Sequence, residues 1–171
     1  MLLTLSLGTA IPVTSIGAQA IPETHVKAEM IRRFPDFVEW PAASLGQRDD
    51  IAVCFSASHP FGSLVNGLAK GPRVKGHGIQ VRELKKTDRP DGCHVLYVAQ
   101  ADEALLERAR QLPLLTIGDQ GDFCHVGGII NLRVVEGRVR FEVHVGQARK
   151  VGLRLDSQFV RLATAVFGGR P

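Results

Sequence analysis

From Val26 onward, apolar residues recur at three- and four-residue spacing through Met30, Ile31, Phe34, Phe37 and Val38. That spacing lays one buried stripe along an amphipathic helix. The helix is expected to end near Trp40, ahead of Pro41, with Pro35 imposing a kink or an earlier stop. Residues 51–56 (IAVCFS) are instead a continuous apolar, β-rich run, which predicts a short buried strand. Phe61, Leu64, Val65 and Leu68 return to helical spacing, closed by Gly71-Pro72. Residues 78–84 alternate as a half-exposed strand, and residues 94–99 (HVLYVA) are apolar enough for burial on both faces. Residues 102–111 predict a crossover helix, with Asp102 and Glu103 at its start and Arg108 and Arg110 at its end, as the helix dipole favours. The next strand is 114–117.

Strand and helix alternating in this way predict a largely parallel sheet covered by helices. The pattern then changes: strands 129–135 and 138–144 flank Glu136-Gly137, a two-residue hairpin turn, which makes the sheet mixed. Phe159, Val160, Leu162, Ala163, Val166 and Phe167 predict a C-terminal helix capped by Asp156 or Ser157. The expected fold is a single-domain α/β protein with a mixed, mostly parallel sheet, a β-hairpin in its C-terminal half, and helices over the sheet.

Composition narrows the setting. The 171 residues suit one domain, and 44% hydrophobic with 22% charged residues is ordinary for a chain with a packed core. The 21 Lys and Arg give a net charge of +4 but form no block, and acids interrupt the most basic stretch, 82–89, so nucleic acid is not an expected partner. Residues 1–20 carry no charge, open on an apolar run and end in Ala18-Gln19-Ala20, the small-x-small pattern of a signal-peptide cleavage site. The run is short of the roughly 20 apolar residues that span a bilayer. The expected organisation is an export signal at 1–20 and a domain at 21–171, without direct membrane insertion. The basic start typical of such signals is missing, since Leu2 follows Met1 directly.

The candidate chemistry is mostly negative. Gly118, Gly121, Gly127 and Gly128 follow a strand but precede another strand, so no helix N-terminus is on offer for a phosphate. Cys93-His94 and Cys124-His125 contain a formal zinc ligand set, but adjacent residues in an extended chain point to opposite faces. Neither a metal nor any other cofactor is expected. Cys124 or Ser157 with His125 or His144 and Asp119 or Asp122 make hydrolase sets on paper, with no nucleophile elbow to select among them. Trp40 reads as a core or helix-end plug. Cys54 lies within a strand and Cys93 just before another, so strand adjacency can bring them within disulfide reach, with unpaired thiols as the alternative. Arg138, Arg140, Glu142 and His144 alternate along one strand face, either as the solvent side of the sheet or as a ligand-facing row.

Residues 27–41 (KAEMIRRFPDFVEWP) resemble the opening of YfiR-like proteins, in which Lys-Ala precedes an aromatic-rich helix ending in Glu-Trp-Pro. The resemblance continues in order through Val53-Cys54, His59-Pro60-Phe61-Gly62, Cys93-His94-Val95-Leu96-Tyr97, LTIGD at 115–119, FCHVGGIINL at 123–132, RVRFEV at 138–143 and GLRLDSQFVRLA at 152–163. It implies a periplasmic, non-catalytic α/β protein, often encoded beside a membrane-anchored diguanylate cyclase whose periplasmic domain it binds and represses. Release under redox or envelope stress would raise cyclic di-GMP and favour biofilm formation. The resemblance also implies a disulfide at Cys54 and Cys93. Cys124 falls near a further family cysteine whose usual partner is not evident here, which leaves it as a free thiol or one pairing between chains, as in a homodimer. Pro35 departs from the family, whose helix runs on at that point. The alternative from another class is an envelope protein that binds a small anion through Arg138, Arg140 and His144 with Arg154.

Overall fold

The computed structural model describes residues 21–45 and 50–169, so the expected signal segment lies outside the described residues. In chain order the elements are α1 (Glu23–Arg33), a 3-10 turn (Phe34–Phe37), β1 (Val38–Glu39), α2 (Ala42–Leu45), β2 (Asp50–Ser56), α3 (Leu64–Leu68) and β3 (Gly78–Leu84). They continue with β4 (Val95–Tyr97), a second 3-10 turn (Gln100–Asp102), α4 (Glu103–Ala109), β5 (Leu115–Gly118), β6 (Ile130–Val135) and β7 (Arg138–His144). The chain finishes with α5 (Val145–Lys150), β8 (Arg154–Leu155), α6 (Ser157–Arg161) and β9 (Ala165–Phe167).

Among the described residues, seven strands form one sheet in the order β3-β2-β4-β5-β6-β7-β9. Every neighbouring pair is parallel except the β6–β7 hairpin. A small antiparallel pair, β1 with β8, lies apart from it. The alternation of side chains along each strand divides the core in two. Val53 and Phe55 of β2, Val95 and Tyr97 of β4, and Phe141 and Val143 of β7 pack with Ile31 and Phe34 at α1, Val65 of α3 and Phe159 of α6. Cys54 and Leu96 point the other way, toward Leu105, Leu106 and Ala109 of α4. The result is the mixed, helix-covered sheet that the hydrophobic pattern predicts.

Three helices are shorter than their longest expected extents, the first in keeping with the earlier stop expected at Pro35. The first helix ends at Arg33, not near Trp40, because Pro35 cannot continue the ladder and instead opens the 3-10 turn. From there the chain extends into β1, and Trp40 is a buried plug packed edge-on against His94. At the other end, the expected helix over 159–167 is α6 followed by a strand. Thr164 donates to the Phe141 carbonyl at 2.8 Å, and β9 then pairs in parallel with Glu142–His144. Apolar residues at 159, 160, 162, 163, 166 and 167 fit a helix, but Leu162 is 69% exposed while β9 covers what would be the open edge of β7. The helix expected from Phe61 is shorter, with only Leu64–Leu68 helical, and α5 and β8 had no clear signal in the sequence.

The hairpin turn behaves as its residues require. Glu136 and Gly137 both have positive φ, 50° and 70°, the backbone that a tight two-residue hairpin demands. After β5, the loop closes over Phe123, whose ring lies where a Cβ on Gly118 or Gly128 would stand. Those glycines make room for a buried side chain, not for a phosphate.

Candidate interaction site

The disulfide comes first in the chain's logic. β2 and β4 are parallel neighbours with Cys54 opposite Leu96, and Cys93 enters β4 from the same end, so the two Cα atoms come to 5.9 Å and the sulfurs are bonded. Both cysteines are buried in the α4-side core. With Cys93 consumed, it cannot serve as a metal ligand. Its neighbour His94 is also occupied: Nδ1 accepts from the Ala52 amide at 2.9 Å, which leaves Nε2 to donate to the Ser44 carbonyl at 3.1 Å. Among the described residues no group of three His, Cys, Asp or Glu is arranged to hold a metal.

Cys124 is an unbridged thiol, buried and donating to the Ile129 carbonyl. Burial, reinforced by the Glu142 carboxylate, pushes it up to about 12, so the nucleophilic thiolate is scarce at neutral pH. Asp119, another member of the paper hydrolase sets, is committed elsewhere. Its two oxygens accept from Tyr97 Oη at 2.7 Å and Lys27 Nζ at 2.9 Å, and Glu23 adds a second carboxylate to Lys27 at 2.5 Å. Burial alone would lower Lys27, but the hydrogen bonds to Glu23 and Asp119 outweigh it and hold the ammonium above its ordinary value. Burial, and then the Asp119 carboxylate, drive the Tyr97 phenol upward, so it stays a donor.

This knot ties α1 to the carboxyl ends of β4 and β5, beside the point where the chain leaves β2 for β3 on one side and returns to β4 on the other. Open α/β sheets usually bind ligands at such a switch. Here the chain's own groups fill it: Ser56 Oγ accepts from the Ala99 amide at 2.9 Å, and Phe61 packs edge-on against Tyr97 at 4.8 Å. The reasoning from sequence passed over Lys27, Tyr97 and Asp119 as a set. Each stands within one of the quoted family blocks, but no spacing in the sequence signals that the three meet.

Arg138, Arg140 and His144 do share a face of β7, and Arg133 and Val135 join it through their cross-strand partners Arg140 and Arg138. Arg138 and Arg140 are exposed and, among the described residues, make no ion pair. Arg133, directly opposite Arg140, is held by donating to the Gly121 carbonyl at 2.8 Å. Like charges facing each other across a ladder are unfavourable unless something anionic meets them. Val134 and Val135, 47% and 45% exposed, add apolar surface at the same tip.

His144 has a different role from its neighbours. Its Nδ1 accepts from the Gln147 amide at 2.9 Å and caps α5. Burial, with His125 adding to it, lowers its pKa, so the neutral cap is favoured. Arg154 is not gathered with the row at all. It lies in β8, in the layer that carries Phe159, and Phe159 stacks on Phe141, which points to the opposite face of β7 from Arg140.

A family model described as YfiR/HmsC-like matches residues 24–164. The chain belongs to the YfiR/HmsC-like family. Among solved structures, the crystal structure of a conserved domain protein from Vibrio cholerae O1 biovar El Tor strain N16961 is similar, with a TM-score of 0.54 and 15% identity over 84% of this chain. The likeness is one of fold, and this chain spans only 60% of that protein's length. Among the described residues no helix is long and apolar enough to cross a membrane.

Proposed function

We propose that this YfiR/HmsC-like protein is a periplasmic repressor that binds the periplasmic sensor domain of an inner-membrane diguanylate cyclase and holds the enzyme inactive. Its release would raise cyclic di-GMP and favour biofilm formation. The observation that carries this reading is the family match over 24–164, nearly the whole of the expected mature domain. The Cys54–Cys93 bond supports it, since such bonds persist in oxidising compartments and are rare in the cytosol.

We take the hairpin face, Arg138 and Arg140 with Val135, as the docking surface, and an acidic patch on the sensor domain as its counterpart. Exposed arginine beside apolar side chains is a composition enriched at protein interfaces. Deleting the gene is expected to raise cellular cyclic di-GMP, and a membrane-anchored diguanylate cyclase is expected to co-purify with the protein. An unchanged cyclic di-GMP level with no co-purifying cyclase would defeat the proposal.

A further inference from the structure

A second face of the molecule has the makings of a ligand site. Between α5, β8, α6 and β9 lies a cleft of about 580 Å³, within the range typical of small-molecule pockets. Its floor is aliphatic: Val145, Ala148, Leu153, Leu155, Val160 and Val166. Its rim carries Arg149 from the last turn of α5, Arg154 from β8 and Arg161 from the last turn of α6. No acidic residue lines it. The nearest carboxylate in sequence, Asp156, spends Oδ1 on the Gln158 and Phe159 amides as the α6 cap.

The three rim arginines differ from Arg32, Lys75 and Arg110, which stand beside other clefts. Arg32 is paired with Glu29 and donates to the Pro72 carbonyl, Lys75 donates to the Val38 carbonyl, and Arg110 is paired with Glu107. Arg149, Arg154 and Arg161 make no side-chain hydrogen bond or ion pair among the described residues. Arginines from three elements line one aliphatic trough, and Arg154 also borders the neighbouring cleft that carries Asp36, Glu39 and Asp156. A bare inorganic anion would leave the floor unused, and a neutral lipid would leave the rim unused.

We propose that this cleft binds a free fatty acid, with the alkyl chain along the aliphatic floor and the carboxylate at the arginine rim. The guanidinium fork suits a carboxylate through paired, charge-assisted hydrogen bonds. The site lies across the sheet from the hairpin arginines and does not depend on the cyclase reading.

Calorimetric titration of the purified protein with octanoate, decanoate and dodecanoate, each below its micelle concentration, tests it. Saturable binding is expected, tightening roughly fifteenfold for each two added methylenes. Decanol should bind at least about tenfold more weakly than decanoate, and Arg154→Gln and Arg161→Gln should each weaken decanoate by at least about tenfold. These arginines are exposed, so both variants should melt like the parent, and Arg138→Gln should bind decanoate normally. The proposal is overturned if the parent shows no saturable binding, if decanol matches decanoate, or if Arg138→Gln weakens binding as much as Arg154→Gln. Binding to phosphatidylglycerol vesicles without binding to monomeric decanoate would also overturn it, assigning the arginines to a lipid surface.

Discussion

In the parallel half of the sheet, β2, β4 and β5 are buried on both faces, locked by a disulfide on one side and by the Lys27–Asp119–Tyr97 knot on the other. The half built from β6, β7 and β9 packs one face on α1 and α6 and leaves exposed arginines and valines near the hairpin tip. In the first half Ser56, His94, Tyr97 and Asp119 are paired, and side chains occupy the crevice at the strand ends. In the second, Arg138, Arg140, Arg149, Arg154 and Arg161 lack ion-pair partners among the described residues. The contrast separates the part of the molecule that holds the fold from the part with surface left for recognition.

Breaking the lock should have the largest effect. The Cys54–Cys93 bond closes a 39-residue separation, which in the chain-entropy model stabilises by about 4 kcal/mol. The Cys54→Ala/Cys93→Ala double variant should melt roughly 10 °C lower than the oxidised parent. An unchanged midpoint would show that the parallel half does not rely on the bond. Weakened sensor-domain binding by the reduced protein would extend the lock's influence to recognition.

The knot should come next. Asp119→Ala leaves the Tyr97 hydroxyl without its acceptor and Lys27 with Glu23 alone, at a cost of about 2 kcal/mol by denaturant unfolding. Tyr97→Phe together with Asp119→Ala should cost less than the two single changes summed, because both remove the same hydrogen bond.

In the recognition half the effects shrink. His144→Ala removes the α5 cap and should cost about 1 kcal/mol. The cap also sets a pH dependence. His144 titrates below its ordinary 6.5, so as pH falls through 6.5 the unfolded chain takes up a proton that the folded one resists. Its contribution is intact above that pH and declines below it, down to the lowered folded value. His144→Asn keeps a capping acceptor that does not titrate, and should flatten the decline seen in thermal melts between pH 7 and 5. The smallest effect belongs to the turn: Glu136→Asn suits the positive φ of 50° and should raise stability by a few tenths of a kcal/mol.

The same two halves differed in how readily they could be read from sequence. IAVCFS and HVLYVA are continuous apolar runs that suit only a doubly buried strand at that length, and Glu136-Gly137 marks its hairpin without help from tertiary context. The ending was harder. Phe159 through Phe167 carries apolar spacing that a helix and a helix-then-strand satisfy almost equally, and the open edge of β7, invisible in the local pattern, decides between them. Pro35 showed that α1 had to stop but not what followed. The Cys54–Cys93 pairing was legible from strand order together with the family resemblance. The knot was not, because Lys27, Tyr97 and Asp119 are brought together by α1 crossing the sheet, a contact that no spacing records. Arg154 was grouped with the β7 row on charge alone, and the sheet between them separates the two.

The most direct measurement is a titration of the purified, oxidised protein with the periplasmic sensor domain of the diguanylate cyclase proposed as its partner, set beside the Arg138→Glu/Arg140→Glu double variant. Saturable binding by the parent is expected, weakened by at least about tenfold in the variant with its melting midpoint unchanged. A parent that does not bind, or a variant that binds as the parent does, would contradict recognition through the hairpin face.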